Sequence, residues 1–430
     1  MISSTHPIRT HSRILTAALA GTAVEFYDFY IYATAAALVF GPLFFPEQSP
    51  TAQIALSFLT FGIAFFARPV GAVAFGHFGD RVGRKSTLVA SLMLMGGSTL
   101  AIAFLPTYAT AEKWGAGWIA PALLCVLRFG QGFGLGGEWG GAALLAVENA
   151  PKGWEARFGS APQMGAPVGF LAANGLFLVL GRWLSEEDFL SWGWRVPFLL
   201  SSVLVVLGLW VRLRISETPQ FREALAHAAP PAVPLAELFR KHRAAMLAGS
   251  AGAIACFAIF YLATAFALSF GTKSLGYARE SFLEVQLAAN CFLALGIVLA
   301  AIHADRKGAR ATLAIGAMAT ILIGLAFGPG LASGSVWTVL ATLSAALFVM
   351  GFVYGPLGGW LPTLFPPLVR YSGVSVAFNV GGIIGGALTP FAAQSMASLG
   401  AVNLIGLLIS AAGLMTLAGV LVAKPVAAPR

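Results

Sequence analysis

The stretch Gly76-His77-Phe78-Gly79-Asp80-Arg81-Val82-Gly83-Arg84-Lys85 packs one acid and three bases into ten residues. Apolar runs flank it on both sides, from Gln53 to Gly76 and from Ser86 to Pro106. About 20 apolar residues carry a helix across the hydrocarbon core of a bilayer. The stretch therefore reads as a short charged hairpin between two membrane spans. Its glycines permit a tight turn, and its charges are excluded from lipid. Three cations in so short a loop place it on the cytoplasmic side.

Composition carries the same reading to the whole chain. Of 430 residues, 58% are hydrophobic and only 10% are charged, where soluble domains carry about 25% charge. The expected fold is an all-α polytopic membrane protein. Its apolar runs mark twelve spans, at 14–40, 53–77, 86–106, 117–148, 157–180, 193–212, 244–271, 281–302, 311–329, 336–362, 371–398 and 401–423. With both termini inside, the inner segments hold 19 Lys and Arg and the outer segments five, while Arg68 and Arg128 fall within spans. That asymmetry sets the orientation and accounts for the net charge of +9 without a nucleic-acid partner.

Several other classes are excluded. The first apolar run follows Arg9 and Arg13 as a signal peptide would, but it contains Glu25 and Asp28 and runs on too far. No G-x-x-x-x-G-K-[ST] loop is present, so an ATP-driven pump is not expected. Cys125, Cys256 and Cys291 all lie within spans and form no metal or disulfide pattern. No Ser/His pair or Asp-rich motif sits at span depth, so an intramembrane enzyme is not expected. Neither a cofactor nor a metal is implied.

The chain repeats itself. Residues 301–310, ending Asp305-Arg306-Lys307-Gly308-Ala309-Arg310, echo 76–85 at an offset of 225. Arg157-Phe158-Gly159-Ser160 is echoed by Arg370-Tyr371-Ser372-Gly373. Two parallel six-span repeats with a site between them at mid-membrane is an established transporter plan. The expected units are 1–212, a cytoplasmic linker at 213–243 rich in proline and mixed charge, and 244–430.

The 76–85 pattern closely resembles the loop between spans two and three of the major facilitator superfamily. Gly21-Thr22-Ala23-Val24-Glu25-Phe26-Tyr27-Asp28-Phe29, Arg128-Phe129-Gly130-Gln131-Gly132, Gly136-Gly137-Glu138-Trp139-Gly140-Gly141 and Ser191-Trp192-Gly193-Trp194-Arg195-Val196-Pro197-Phe198 resemble its metabolite:proton symporter branch. The likeness runs from the first span to the last and is densest in the N-terminal half. It implies a monomer of two six-helix bundles in a bacterial inner membrane, importing a small organic acid with protons. An osmolyte or zwitterion symporter and a drug or metabolite exporter of the same fold are the alternatives. Gly165-Ala166-Pro167-Val168-Gly169 is a faint match to the exporter motif, and no heptad-rich segment of the osmolyte type follows the last span.

The chemistry is expected where charge enters the spans, at Glu25, Asp28, Arg68, Arg128, Glu138 and Glu148. An ionised group at mid-bilayer costs about 2.5–3.5 kcal/mol on insertion scales, so each is a functional candidate. At 1.5 Å per residue, Asp28 lies roughly 20 Å along the first span and Arg128 roughly 15 Å along the fourth, both near the midplane. In related sugar:proton symporters, an Asp and an Arg at these positions form a pair, so the resemblance implies that Asp28 and Arg128 do. Glu25, one helical turn before Asp28, is the other candidate proton carrier. All six histidines fall in the tails, the inner loops or at the inner end of a span, which leaves protons at mid-membrane to carboxylates. Arg128 offers a substrate carboxylate a two-pronged, permanently charged fork. Arg68 has a substrate role or a gating role, and Glu138 lies at its height, where the two can pair. Tyr261, Asn290, Tyr354, Trp360 and Asn379 are candidates for the apolar and aromatic wall of the site.

The resemblance also implies a cytoplasmic charge latch. Its expected members are Asp80, Arg81, Arg84, Glu148, Arg157 and Glu217, with Asp305 and Arg370 in the second half. Ala309 and Thr363 stand where a base and an acid are expected. On that ground the second-half copy is expected to be weak and Asp305 to matter less than Asp80.

Overall fold

Every backbone amide inside a bilayer needs an internal partner, and a chain of apolar runs meets that requirement as helices. The structure, a computed structural model, describes residues 11–82, 84–136, 138–214, 234–366 and 369–426. Expectations for the side chains of Asp80, Arg81 and Arg84, and for Glu217, lie outside the described residues.

Twelve long helices run through the described residues. They are α1 (Ser12–Leu38), α2 (Pro50–Val82), α3 (Arg84–Ala103), α4 (Ile119–Glu148), α5 (Glu155–Trp183), α6 (Val196–Arg214), α7 (Arg243–Lys273), α8 (Arg279–Lys307), α9 (Ala309–Leu331), α10 (Val336–Leu364), α11 (Arg370–Ser398) and α12 (Val402–Val422). Ten are long and apolar enough to cross a membrane, and α3 holds the shorter apolar stretch Val89–Ala103. The remaining one, α1, has 27 residues and includes Glu25 and Asp28. These bounds follow the expected spans to within a few residues.

Neighbours recur with a period of six helices. Helix α1 packs on α5, α2 on α4, and α3 on α6; likewise α7 packs on α11, α8 on α10, and α9 on α12. Helix α7 is buried throughout its most apolar stretch and faces both sets. Leu59, Phe66, Val203, Val206, Leu322 and Leu325 are exposed on outward helix faces, as lipid contact requires. Exposed Trp114, Trp118, Trp183, Trp192 and Trp337 gather near the connections α3–α4, α5–α6 and α9–α10, all at one end of the bundle. Tryptophan is enriched at that depth because its ring is amphipathic.

Small residues set how closely the helices approach. A Cβ on Gly132 of α4 would stand 2.2 Å from the carbonyl oxygen of Ala64 on α2, and one on Gly71 of α2 would stand 1.9 Å from that of Phe133. The same holds for α11 on α7, where a Cβ at Gly385 would meet the Ile254 carbonyl at 2.3 Å. The α8–α9 turn uses Gly308 at φ 93°, which is the conformation the repeat of the charged hairpin requires. Between α6 and α7, a short helix (Pro234–Lys241) buries Leu238 and leaves Phe239 exposed.

Candidate functional site

The centre of the molecule is an aromatic cluster shared by the two repeats. Phe29 of α1, Phe61 and Phe65 of α2, and Phe257 and Tyr261 of α7 pack with ring centroids 5.2–6.5 Å apart. Tyr30 stacks on Phe260 at 4.9 Å. Two guanidinium groups enter this cluster. Arg128 lies 4.2 Å from the Phe29 ring and 3.9 Å from Tyr32; Arg68 lies 4.3 Å from the same Phe29 ring and 4.9 Å from Phe65. Desolvated cation–π contacts contribute about 2 kcal/mol each, so Phe29 helps to hold two cations where water cannot.

Arg128 has no exposed surface. Its Nη1 donates to Gln131 Oε1 at 2.9 Å, and its Nε and Nη2 donate to the Phe61 carbonyl at 3.4 Å. Arg68 is 7% exposed, and its Nε makes no hydrogen bond among the described residues. Among the described residues neither arginine has a carboxylate within ion-pair distance. Arg68 and Glu138 are both buried without forming the pair considered from sequence.

Asp28 also departs from the expectation. It is buried, and its partners are hydroxyls: Ser201 Oγ donates to Oδ1 at 2.5 Å and Thr99 Oγ1 to Oδ2 at 3.2 Å. It makes no direct ion pair with Arg128. The two are joined through neutral groups instead, because Gln131 Nε2 donates to Thr99 Oγ1 at 2.7 Å while Gln131 Oε1 accepts from Arg128. Glu25 is buried one turn earlier on α1. Sequence reading missed Gln131, Thr99, Ser201 and Phe29. The first stood in plain view, one helical turn after Arg128 within Arg128-Phe129-Gly130-Gln131-Gly132.

The remaining wall candidates divide. Tyr261 sits in the aromatic cluster, and the buried hydroxyl of Tyr354 on α10 has no hydrogen-bond partner by distance and angle among the described residues. Asn290 donates to the Pro167 carbonyl at 2.9 Å and leaves a buried Oδ1 unbonded, so it ties α8 to α5. Trp360 fills the space over Gly252 of α7 and serves packing. Asn379 donates to the Gly136 carbonyl at 2.8 Å and joins α11 to α4. Beside it Trp139 stacks on Phe378 at 3.6 Å, and Gln163 Nε2 donates to the Tyr354 carbonyl at 3.0 Å. The Asn290, Asn379, Trp139 and Gln163 contacts cross between the repeats, whereas Trp360 packs within the second.

The latch corrects the sequence reading. Asp305, at the end of α8, accepts from the backbone amides of Ala156 at 2.8 Å and Arg157 at 3.2 Å, and from Arg157 Nε at 2.5 Å. Its side chain is 2% exposed. The acid thus sits on the N-terminus of α5, where orphan amides and the helix dipole favour an anion. Arg157 is held further by the Trp154 ring at 3.4 Å and the Gly153 carbonyl at 3.0 Å. The loss of a base at Ala309 does not disable this acid, because its partners lie on the other repeat. Arg370 donates to the Phe365 carbonyl at 3.2 Å, and Glu148 is partly buried at the end of α4. At the opposite end, Arg279 pairs with Glu186 at 3.0 Å and with Glu280 at 2.9 Å, and Arg182 pairs with Glu284.

Comparison with known proteins agrees with this architecture. Residues 14–228 match the Sugar (and other) transporter family. The chain is 46% identical to the inner membrane metabolite transport protein YhjE of Escherichia coli K12, over 96% of this chain and 94% of that protein. It is 40% identical to the shikimate transporter of Escherichia coli K12, over 90% of this chain and 88% of that one. The solved proton:xylose symporter XylE, bound to 6-bromo-6-deoxy-D-glucose, shares the fold with a TM-score of 0.76 at 16% identity, over 95% and 94% of the two chains. The twelve helices, their repeated packing and these matches together make the chain a multi-pass membrane transporter, not an enzyme, of the sugar and metabolite transporter family within the major facilitator superfamily.

Proposed function

We propose that the chain is a proton-coupled symporter that imports a small organic acid by alternating access. The acid's carboxylate is seated by Arg128 and Arg68, and Asp28 carries the proton. The observation that supports this reading best is the pair of buried guanidiniums on one Phe29 ring, neither with a carboxylate partner among the described residues. A buried cation without a counter-ion is costly, and an anionic substrate relieves that cost. The similarity to a shikimate transporter favours a hydroxy-acid, and two arginines also suit a dicarboxylate. The Lys and Arg excess at the end carrying residues 76–85 supports placing that end in the cytoplasm. The likeness to an inner membrane protein supports the bacterial inner membrane. Both sides of the site come from one chain, so a monomer suffices.

The test is uptake by proteoliposomes of labelled hydroxy-acids, dicarboxylates and betaine, with and without an inward proton gradient. Gradient-driven uptake of an acid, lost in Arg128→Ala, is the expected result. Uptake indifferent to the gradient, or uptake of a cation undiminished in Arg128→Ala, overturns the proposal.

A further inference from the structure

We propose that Gln131 and Thr99 are the coupling element between substrate and proton, a neutral relay that replaces a direct Asp–Arg ion pair. The inference rests on the symport reading above and goes beyond it by assigning coupling to residues that bear no charge.

The relay is directional by chemistry. Arg128 only donates, so the side-chain oxygen of Gln131 faces it and the Gln131 NH2 faces Thr99. The Thr99 hydroxyl therefore receives one hydrogen bond and has a single proton to give. Two acceptors lie within its reach, Asp28 Oδ2 at 3.2 Å and the Met95 carbonyl at 3.0 Å. When Asp28 is ionised, Thr99 donates to the carboxylate. When Asp28 holds the proton, its O–H donates to the Thr99 oxygen, and Thr99 turns to the Met95 carbonyl. Each protonation state of Asp28 thus selects one hydroxyl orientation, and that orientation changes the acceptor seen by Gln131. Gln131 in turn fixes one prong of the Arg128 fork. The other donors of Arg128 share one carbonyl at 3.4 Å, so the Gln131 bond is the tighter hold.

The groups that face Asp28 are consistent with this route. Helix α3 presents the Thr99 hydroxyl and α6 the Ser201 hydroxyl. The titratable neighbours of Asp28 are Glu25 and Tyr27 on α1, the Tyr27 hydroxyl donates to the Pro197 carbonyl, and the Arg68 and Arg128 guanidiniums lie over the ring of the adjacent Phe29. The contiguous hydrogen-bonded path to Arg128 passes through Thr99 and Gln131. Coupling energies between linked sites are typically worth about 5–150-fold in affinity.

The experiment compares gradient-driven accumulation with substrate exchange at equal pH on both sides, in proteoliposomes holding wild type, Thr99→Val, Thr99→Ser, Gln131→Met and Gln131→Asn. Thr99→Val should keep exchange while losing accumulation by about tenfold or more, and Gln131→Met, which also loosens Arg128, should lose accumulation and weaken exchange. Thr99→Ser restores a hydroxyl and should retain accumulation; Gln131→Asn keeps the amide but shortens the reach, and should uncouple. Wild-type accumulation in Thr99→Val and Gln131→Met overturns the relay while leaving symport intact. Equal loss in Thr99→Ser and Thr99→Val overturns it as well, since the role is then packing. Absence of gradient-driven uptake in the wild type removes the symport reading and the relay with it.

Discussion

At Arg128 one side chain combines no exposure, a hydrogen-bonded amide and three aromatic neighbours. Truncating a buried charged group of this kind costs about 2–5 kcal/mol in binding, or roughly thirtyfold and upward in Kd. Arg128→Ala is expected to abolish substrate binding. Arg128→Lys should lose most of it, because a point charge gives neither the fork nor the flat stacking face. Isothermal titration with a transported acid checks both. Asp28→Asn should keep exchange and lose uphill accumulation, since exchange moves no net proton; normal accumulation in that variant transfers the assignment to Glu25. These two residues were legible because charge inside an apolar run is costly. Their connection was not. Thr99 and Ser201 are ordinary hydroxyls, 71 and 173 positions away from Asp28, and no local pattern distinguishes them.

Helix by helix, the apolar runs located all twelve elements, and the glycine-rich stretch of α4 was readable as close packing. Gly132→Ala puts a Cβ 2.2 Å from a backbone oxygen of α2, which is not a flexible neighbour. Overpacking of this sort costs about 1–3 kcal/mol, so a lower melting temperature in detergent is expected. The partners of Asp305 were misread for a definite reason. The sequence repeat showed missing charges beside Asp305, yet the partners of Asp305 lie 148 and 149 residues upstream on α5. Removing an acid that caps a helix costs about 0.5–2 kcal/mol, enough to shift two states that differ by a few kcal/mol. Asp305→Ala is therefore expected to raise labelling of an inner-cavity cysteine by a membrane-impermeant maleimide from the cytoplasmic side, and to slow transport. Unchanged labelling contradicts the assignment.

Across the whole molecule, the two repeats meet through Asp305–Arg157, Asn379–Gly136, Gln163–Tyr354 and Trp139–Phe378, and at the opposite end through Arg279–Glu186 and Arg182–Glu284. The arginine site lies between these sets of ties, within the shared aromatic cluster. Alternating access requires one set to open while the other holds, and in the proposed symport the proton on Asp28 biases which one. The six-helix periodicity was legible from the 225-residue echo of the hairpin, whereas the ties across the repeats, single polar side chains meeting backbone carbonyls, were not. The central claim is that a proton enters with each acid by way of Asp28. The most direct measurement is the external pH of a weakly buffered proteoliposome suspension when a transported acid is added. Wild-type vesicles should alkalinise the medium, and Asp28→Asn vesicles should not, although they still exchange labelled substrate. Equal alkalinisation by the two would contradict the account.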